Sequence, residues 1–255
     1  MAGTNPNVEA IRFDAVHRYF RKDGGELRIL DGFDLAIEAG QFTVILGPSG
    51  CGKSTLLQLA AGLDFSNAGT IRVFGTEVTG PQRDCGMVFQ QYTSFPWLTV
   101  RENVQFGLSH HELHQHRDWV NHLLEVTGLT GFSSALPHTL SGGMQQRLAI
   151  ARTLAVYPKI LLMDEPFGAL DVQTRRSMQS LLLDIWQESK PTILFVTHDI
   201  EEGLFLGERV IVVSKAPARM LFDQNTAYPY PRVEDLRYSN RFKEQEKQLS
   251  QLLGK

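Results

Sequence analysis

Phe42-Thr43-Val44-Ile45-Leu46 runs straight into Gly47-Pro48-Ser49-Gly50-Cys51-Gly52-Lys53-Ser54-Thr55, and a helix-spaced apolar set follows at Leu56, Leu59, Ala60 and Leu63. The continuous apolar run predicts a strand buried on both faces. The glycine-rich stretch fits the pattern G-x-x-x-x-G-K-[ST] between such a strand and a helix. Its glycines let backbone N–H groups turn inward and cradle a phosphate at a helix N-terminus. Lys53 then reaches the β- and γ-phosphates, and the Ser54 hydroxyl is a ligand for Mg2+. A glycine-rich turn with a chance Lys-Ser would not bring both flanks with it. The stretch implies a nucleoside-triphosphate site whose candidate contacts are Gly47, Pro48, Ser49, Gly50, Cys51, Gly52, Lys53, Ser54 and Thr55.

The rest of the chain is of one piece with this reading. Strand-like runs recur at Phe33–Ile37, Thr70–Phe74, Met87–Phe89, Ile160–Met163, Thr192–Val196, Val210–Val213 and Met220–Phe222. Helical spacing appears at Val100–Leu108, Leu113–Val126, Met144–Val156, Gln173–Glu188 and Ile200–Leu206. Alternation of this kind predicts an α/β domain with a mostly parallel core sheet. Residues 92–156 hold helices but no convincing strand, which reads as a helical subdomain inserted into the sheet domain. After Asn225 the sequence turns polar, with Pro229 and Pro231, and ends in a charged helix near Asn240–Leu253. The expected division is 1–225 for the nucleotide-binding domain and 226–255 for a tail helix.

Composition excludes several classes. With 255 residues, 42% hydrophobic and 21% charged, the chain is neither disordered nor fibrous and can bury a full core. A net charge of −3 argues against a nucleic-acid binder working through a broad basic face. The two cysteines, Cys51 and Cys85, form no disulfide framework and favour a reducing compartment. Met1–Ala10 lacks the basic-then-apolar layout of a signal peptide, so the chain is expected to stay where it is made. No apolar run approaches the ~20 residues that span a bilayer.

A second run, Ile160-Leu161-Leu162-Met163, ends in Asp164-Glu165, two carboxylates at the edge of a strand where ligands of α/β sheets sit. One can hold Mg2+ and the next can polarise an attacking water. Leu140-Ser141-Gly142-Gly143-Met144-Gln145-Gln146-Arg147 then resembles the signature motif of ABC-type ATPases, with the family's other marks in order from about Ile11 to Phe222. The resemblance implies a P-loop NTPase fold with an antiparallel β subdomain and the inserted helical one. By the same likeness, Gln90 senses Mg2+ and links to the helical subdomain, Asp171 contacts a dimer partner, and His198 contacts the γ-phosphate. An aromatic ring ahead of the first strand pair should stack on adenine; Phe20 fits that place best, with Tyr19 beside it. Met144 stands where the family most often has Gln, while Ser141, Gly142 and Gly143 keep the phosphate contact.

The signature also has a reading of its own. Ser141-Gly142-Gly143 precedes a helix and so forms a second anion-binding helix N-terminus. One chain cannot bring both anion sites to one phosphate if the signature sits in a separate subdomain; two chains head to tail can, giving a C2 dimer with two composite ATP sites. Other features tempt less. His110, His111, His114 and His116 miss the H-E-x-x-H zinc pattern and read as a solvated helix start. Cys51 lies near a helix N-terminus, a place that can lower a thiol pKa, but it reads first as a residue that fills a loop position. Tyr92-Thr93-Ser94-Phe95-Pro96-Trp97-Leu98 can be core, or the groove that in the family takes a coupling helix of the membrane subunit.

The resemblance therefore implies the ATPase subunit of an importer, an ATP- and Mg2+-dependent homodimer or pair with a related ATPase, bound to separate permease chains at the cytoplasmic face of the membrane. Gly86–Gln90, Phe95–Val100 and Pro229–Leu253 look most like the nitrate/sulfonate/taurine/bicarbonate group, in which an extracytoplasmic binding protein delivers a small oxyanion. An exporter or lipid-trafficking ATPase shares the same motifs. A soluble repair or translation ATPase would carry a coiled coil or two nucleotide domains, and a GTPase an N-K-x-D guanine reader; the sequence has none of these.

Overall fold

In the computed structural model, residues 8–22, 25–91 and 93–254 are described. The first elements are two long strands, β1 (Glu9–Lys22) and β2 (Gly25–Glu38). The apolar pattern predicts no strand at β1, because a bulge breaks its alternation. Ile11 and Phe13 are buried, but the next buried side chain is Val16, with Ala15 at φ 42 between them. One extra residue in a strand moves every later side chain to the opposite face.

Then come β3 (Phe42–Leu46), α1 (Lys53–Ala60), β4 (Ala68–Val73), β5 (Thr76–Glu77) and β6 (Cys85–Val88). Between β6 and the next strand the helices are α2 (Val100–Gln105), α3 (His110–Gln115), α4 (Arg117–Val126) and α5 (Gly142–Leu154). After β7 (Ile160–Asp164) follow α6 (Val172–Ser189), β8 (Thr192–Thr197), α7 (Ile200–Leu206), β9 (Arg209–Val213) and β10 (Met220–Asn225). A 3-10 turn at Glu234–Tyr238 leads into α8 (Asn240–Leu252).

Two sheets result. The larger has the order β10-β9-β3-β8-β7-β6, parallel throughout except for β10 at its edge. The smaller is antiparallel, in the order β2-β1-β4-β5. The continuous apolar runs are explained by burial on both faces. Phe42, Val44, Leu161, Met163, Ile193 and Phe195 point into the core under the helical layer and the tail. Ile45, Leu162, Leu194 and Val196 point into the core shared with α1 and the antiparallel sheet. Each such side chain contributes roughly 1.5–3 kcal/mol by leaving water.

The expected single helix over Leu113–Val126 is two helices. Ser109 and Glu112 form a capping box that starts α3, and His116, at φ −105 and ψ 18, ends it. α3 buries nothing, whereas α4 buries Val120, Leu123 and Leu124. The bend lets the apolar face of α4 reach the core while the histidines stay outside. His110 and His114 lie with ring centres 5.4 Å apart on that exposed helix. The tail is docked: Phe242 and Leu249 of α8 are buried in the main core, and Tyr228 stacks near Phe242 at 5.8 Å. Among the described residues, no helix is long and apolar enough to cross a membrane.

Candidate nucleotide site

The loop after β3 owes its shape to two glycines in left-handed conformations, Gly50 at φ 75 and Gly52 at φ 105. A Cβ on Gly52 would lie 2.5 Å from Ile29 Cγ2 of β2, so a larger residue would meet both backbone strain and a clash. α1 starts at Lys53 with Gly52 as its N-cap and no side chain bonding its first N–H groups, which leaves those donors for an anion. Lys53 is 5% exposed, and its ammonium donates to Gly47 O at 2.8 Å and Pro48 O at 3.1 Å.

Three neighbouring strands deliver the other groups at their C-terminal ends. Asp164 closes β7, is 6% exposed, and has its carboxyl pushed up by burial against the Ser54 hydroxyl hydrogen bond and the Lys53 charge that hold it down. Glu165 follows at φ 44, its N–H donating to Val196 O of β8 at 3.0 Å. Glu165 Oε1 is 3.7 Å from Lys53 Nζ, and Glu165 Oε2 is 2.9 Å from Nδ1 of His198, just past β8. Gln90 lies just beyond β6 on the same side.

One open cleft of about 320 Å3 lies beside these residues, and Gly47, Pro48, Cys51, Asp164 and His198 are not part of its lining. Ser49, Gly50, Gly52, Lys53, Ser54, Thr55, Gln90 and Glu165 line it, as does Ile29. Ile29 is a wall that sequence reading missed; its only signal was a place in a half-buried strand ahead of the loop. A cavity of about 360 Å3 at the opposite, N-terminal ends of the strands is walled by Trp119, Leu154 and Ile185, with Lys159 and Lys190 at its lining.

The remaining candidates fall elsewhere. Ser141 is the N-cap of α5, its hydroxyl accepting from Met144 N at 3.3 Å, and neither it nor Gly142 or Gly143 lines the cleft. Asp171 is the N-cap of α6, its Oδ1 accepting from Thr174 N at 3.1 Å, and those hydrogen bonds hold its carboxyl below the usual range. Phe20, expected ahead of the first strand pair, lies within it, opposite Leu27, with the Arg18 guanidinium 4.4 Å above its ring. The bulge that hid β1 hid this placement too. Cys51 fills its loop position as an ordinary buried thiol. It is 1% exposed and packs beneath the loop, and burial pushes its thiol up despite the helix N-terminus and Lys53. Tyr92 lies outside the described residues.

Downstream of Gln90, the buried Asn103 amide donates to the carbonyls of Phe95, Leu98 and Thr99 at 3.1, 2.9 and 3.0 Å. That loop presents Phe95 against Phe106 at 4.2 Å and leaves Trp97 70% exposed. Arg152 of α5, the helix that begins at the signature, donates to Thr93 O at 2.7 Å. The segment after Gln90 is thus tied to the signature helix by one side chain.

The chain is similar to known proteins. A family profile described as ABC transporter matches residues 30–168. The nitrate import ATP-binding protein NrtD of Synechocystis sp. is 52% identical over 204 residues, 79% of this chain and 77% of that one. The aliphatic sulfonates import ATP-binding protein SsuB of Bacillus cereus is 42% identical over 225 residues, 88% of this chain and 89% of that one. Among solved structures, an ATP-binding cassette captured as a dimer in a post-hydrolysis state with ADP and Pi superposes with a TM-score of 0.77 at 31% identity, covering 86% of this chain and 100% of that one. With its phosphate loop, strand-end carboxylates and signature helix in that common frame, the chain belongs to the ABC transporter family, as one of its ATP-binding cassettes.

Proposed function

We propose that the chain is the ATP-hydrolysing subunit of an importer for a small oxyanion of the nitrate, sulfonate, taurine or bicarbonate type. The observation that carries the hydrolytic reading is the convergence of Lys53, at the start of α1, with Asp164 and Glu165 at the end of β7 and His198 just past β8. Lys53 exchanges the Gly47 and Pro48 carbonyls for phosphate oxygens. Glu165 orients and deprotonates the attacking water, and His198 sits within reach of the γ-phosphate as a donor.

The fit to a hard cation is good: Ser54, Asp164 and Gln90 offer a hydroxyl, a carboxylate and an amide carbonyl, all oxygen donors. Mg2+ bound there would neutralise negative charge on the phosphates. Asp164 already holds the Ser54 hydroxyl, which keeps both side chains aimed at one point.

Ser141, Gly142 and Gly143 lie off the chain's own cleft, and this supports a head-to-tail homodimer, or a pair with a related ATPase, in which each signature closes the partner's site. The solved cassette, a dimer with ADP and Pi, supports a dimeric assembly. ATP then acts through its higher affinity for the closed pair, and hydrolysis releases it. The exposed Trp97 with Phe95 and Phe106 suits docking of a permease helix at the cytoplasmic face, with the solute brought by an extracytoplasmic binding protein. The names of the nitrate and sulfonate relatives support the oxyanion class. No nucleic acid enters this scheme.

The test is recovery of the tagged native chain from gently solubilised membranes. A multi-span permease should accompany it, and uptake assays with the recovered complex then identify the oxyanion. A chain recovered alone across several detergents would move the reading to a non-transport ATPase.

A further inference from the structure

We propose that Arg237, in the C-terminal tail, is a positioning residue for ATP hydrolysis, clamping α7 and the His198 loop onto α6. The inference rests on the ATPase reading above and extends the site to a segment that reading does not use.

Arg237 belongs to the 3-10 turn before α8, yet its side chain is only 4% exposed. Its guanidinium reaches two helices. Nη1 donates to Glu201 Oε1 of α7 at 2.8 Å, Nη2 donates to Gln179 Oε1 of α6 at 2.6 Å, and Nε donates to Glu234 Oε2 at 3.2 Å. The same plane lies 3.6 Å from the centre of the Phe205 ring on α7. A charge this buried is tolerated only when fully paired, and the planar fork of arginine can serve both helices and the ring at once.

The chain of bonds continues inward. Gln179, 2% exposed, donates through Nε2 to Glu202 Oε1 at 3.1 Å. The Glu202 carboxyl, 5% exposed, is also hydrogen-bonded to the side chain of Thr197, and Thr197 Oγ1 accepts from Asp199 N at 3.1 Å. Asp199 Oδ1 in turn accepts from Glu202 N at 3.1 Å and caps α7. His198 stands between Thr197 and Asp199, and both of its neighbours are held by this network.

The physical need is plain. α7 has seven residues, too few to hold its own direction, and it starts two positions after His198. Arg237 fixes the first turn of α7 directly at Glu201 and through Gln179 at Glu202. Without the fork, Gln179 Oε1 loses its buried donor, Glu201 loses its tether, and the α7 start is free to rotate, carrying His198 away from Glu165. Misplacement of a reacting group by about 1 Å can cost as much as 10²-fold in rate.

The experiment is steady-state ATPase kinetics on the full chain, with thermal melting and nucleotide-analogue binding on the same preparations. Arg237→Met keeps the aliphatic stem over Phe205 and deletes the fork. It should lower kcat about 10-fold or more while KM for ATP stays within about 2-fold, since binding is made elsewhere. Arg237→Lys, which can still meet Glu201, should recover part of the loss. Gln179→Met breaks the relay without touching the tail and should lower kcat in the same way. A folded Arg237→Met protein with the parental kcat overturns the proposal, as does a loss matched by equal loss of nucleotide binding. If Arg237→Met does not fold, Gln179→Met decides by the same criterion. A native chain that hydrolyses no ATP would instead sink the underlying ATPase reading, and that is seen before any variant is made.

Discussion

Glu165 Oε2 and His198 Nδ1 are 2.9 Å apart, a contact between residues that leave adjacent parallel strands on the same side of the sheet. Glu165 adopts φ 44, and its N–H is pinned to Val196 O. A non-glycine residue in that region is strained, and strain of this kind is kept where it aims a side chain. Glu165→Gln preserves the shape and removes the base. Turnover should fall by roughly 10²–10⁴-fold while ATP still binds, and gel filtration should show an ATP-held dimer. Hydrolysis at the parental rate would remove Glu165 from its role. His198→Ala should be nearly inactive as well, because the γ-phosphate loses a positioned donor.

Thiol chemistry gives a second test. Burial raises the thiol pKa of Cys51 and pushes that of Cys85 up to about 12. The thiolate is the reactive form, so both groups should be slow toward an aromatic disulfide reagent at pH 8 in the native protein. Denaturant should release both at once. Rapid single-thiol labelling of native protein that also blocks ATP binding would mean that the phosphate loop opens far enough to expose Cys51.

Much of this site is legible in sequence because its chemistry needs fixed spacing along single segments. Phe42–Thr55 must be a strand, a turn and a helix start in succession, and Asp164-Glu165 must end a strand buried on both faces. What stays hidden depends on contacts between segments. The bulge at Ala15 erased the alternation of β1 and with it the setting of Phe20. The bend at His116 has no proline or glycine to announce it and follows from where Val120, Leu123 and Leu124 must pack. Ile29 and Arg237 reach their places from strands and turns far away in the chain, and neither carries a motif. What covers the Cys51 thiol is hidden for the same reason: sequence shows a helix start beside it but not the layer of side chains above it.

Glu202 gives the fold a pH dependence whose sign is fixed. Its ordinary carboxyl value is 4.5; burial pushes it up to about 7, with Asp199 adding to the rise and Thr197, Gln179 and Arg175 opposing it. The native state therefore holds more protons than the unfolded chain between those values. Stability from this group is fully present below about pH 4.5 and is lost as pH rises through about 7. Glu202→Gln has no proton to lose and keeps a similar shape. Its stability relative to the parent should rise between pH 5 and pH 8, by on the order of 3 kcal/mol. Chemical denaturation at the two pH values measures this directly, and a difference that does not change with pH would mean that Glu202 ionises normally in the fold.

The aromatic face beyond Gln90 has a separate signature. Asn103 holds its loop through three carbonyls, so Trp97 is presented at 70% exposure by a braced backbone rather than left there by a loose one. An exposed tryptophan beside two phenylalanines is the composition of a binding hot spot. Trp97→Ala removes contact area without removing a buried group, and its melting temperature should stay within about 2 °C of the parent, as for most surface changes. Co-purification with the permease should fall by about 10-fold or more, the loss of a single hot-spot side chain. Asn103→Ala should do the opposite: leaving buried carbonyls without a donor should cost about 1–3 kcal/mol of stability first, with permease binding lost as a consequence. Equal recovery of permease with Trp97→Ala would place the docking surface elsewhere on the helical layer, whatever the fate of Asn103.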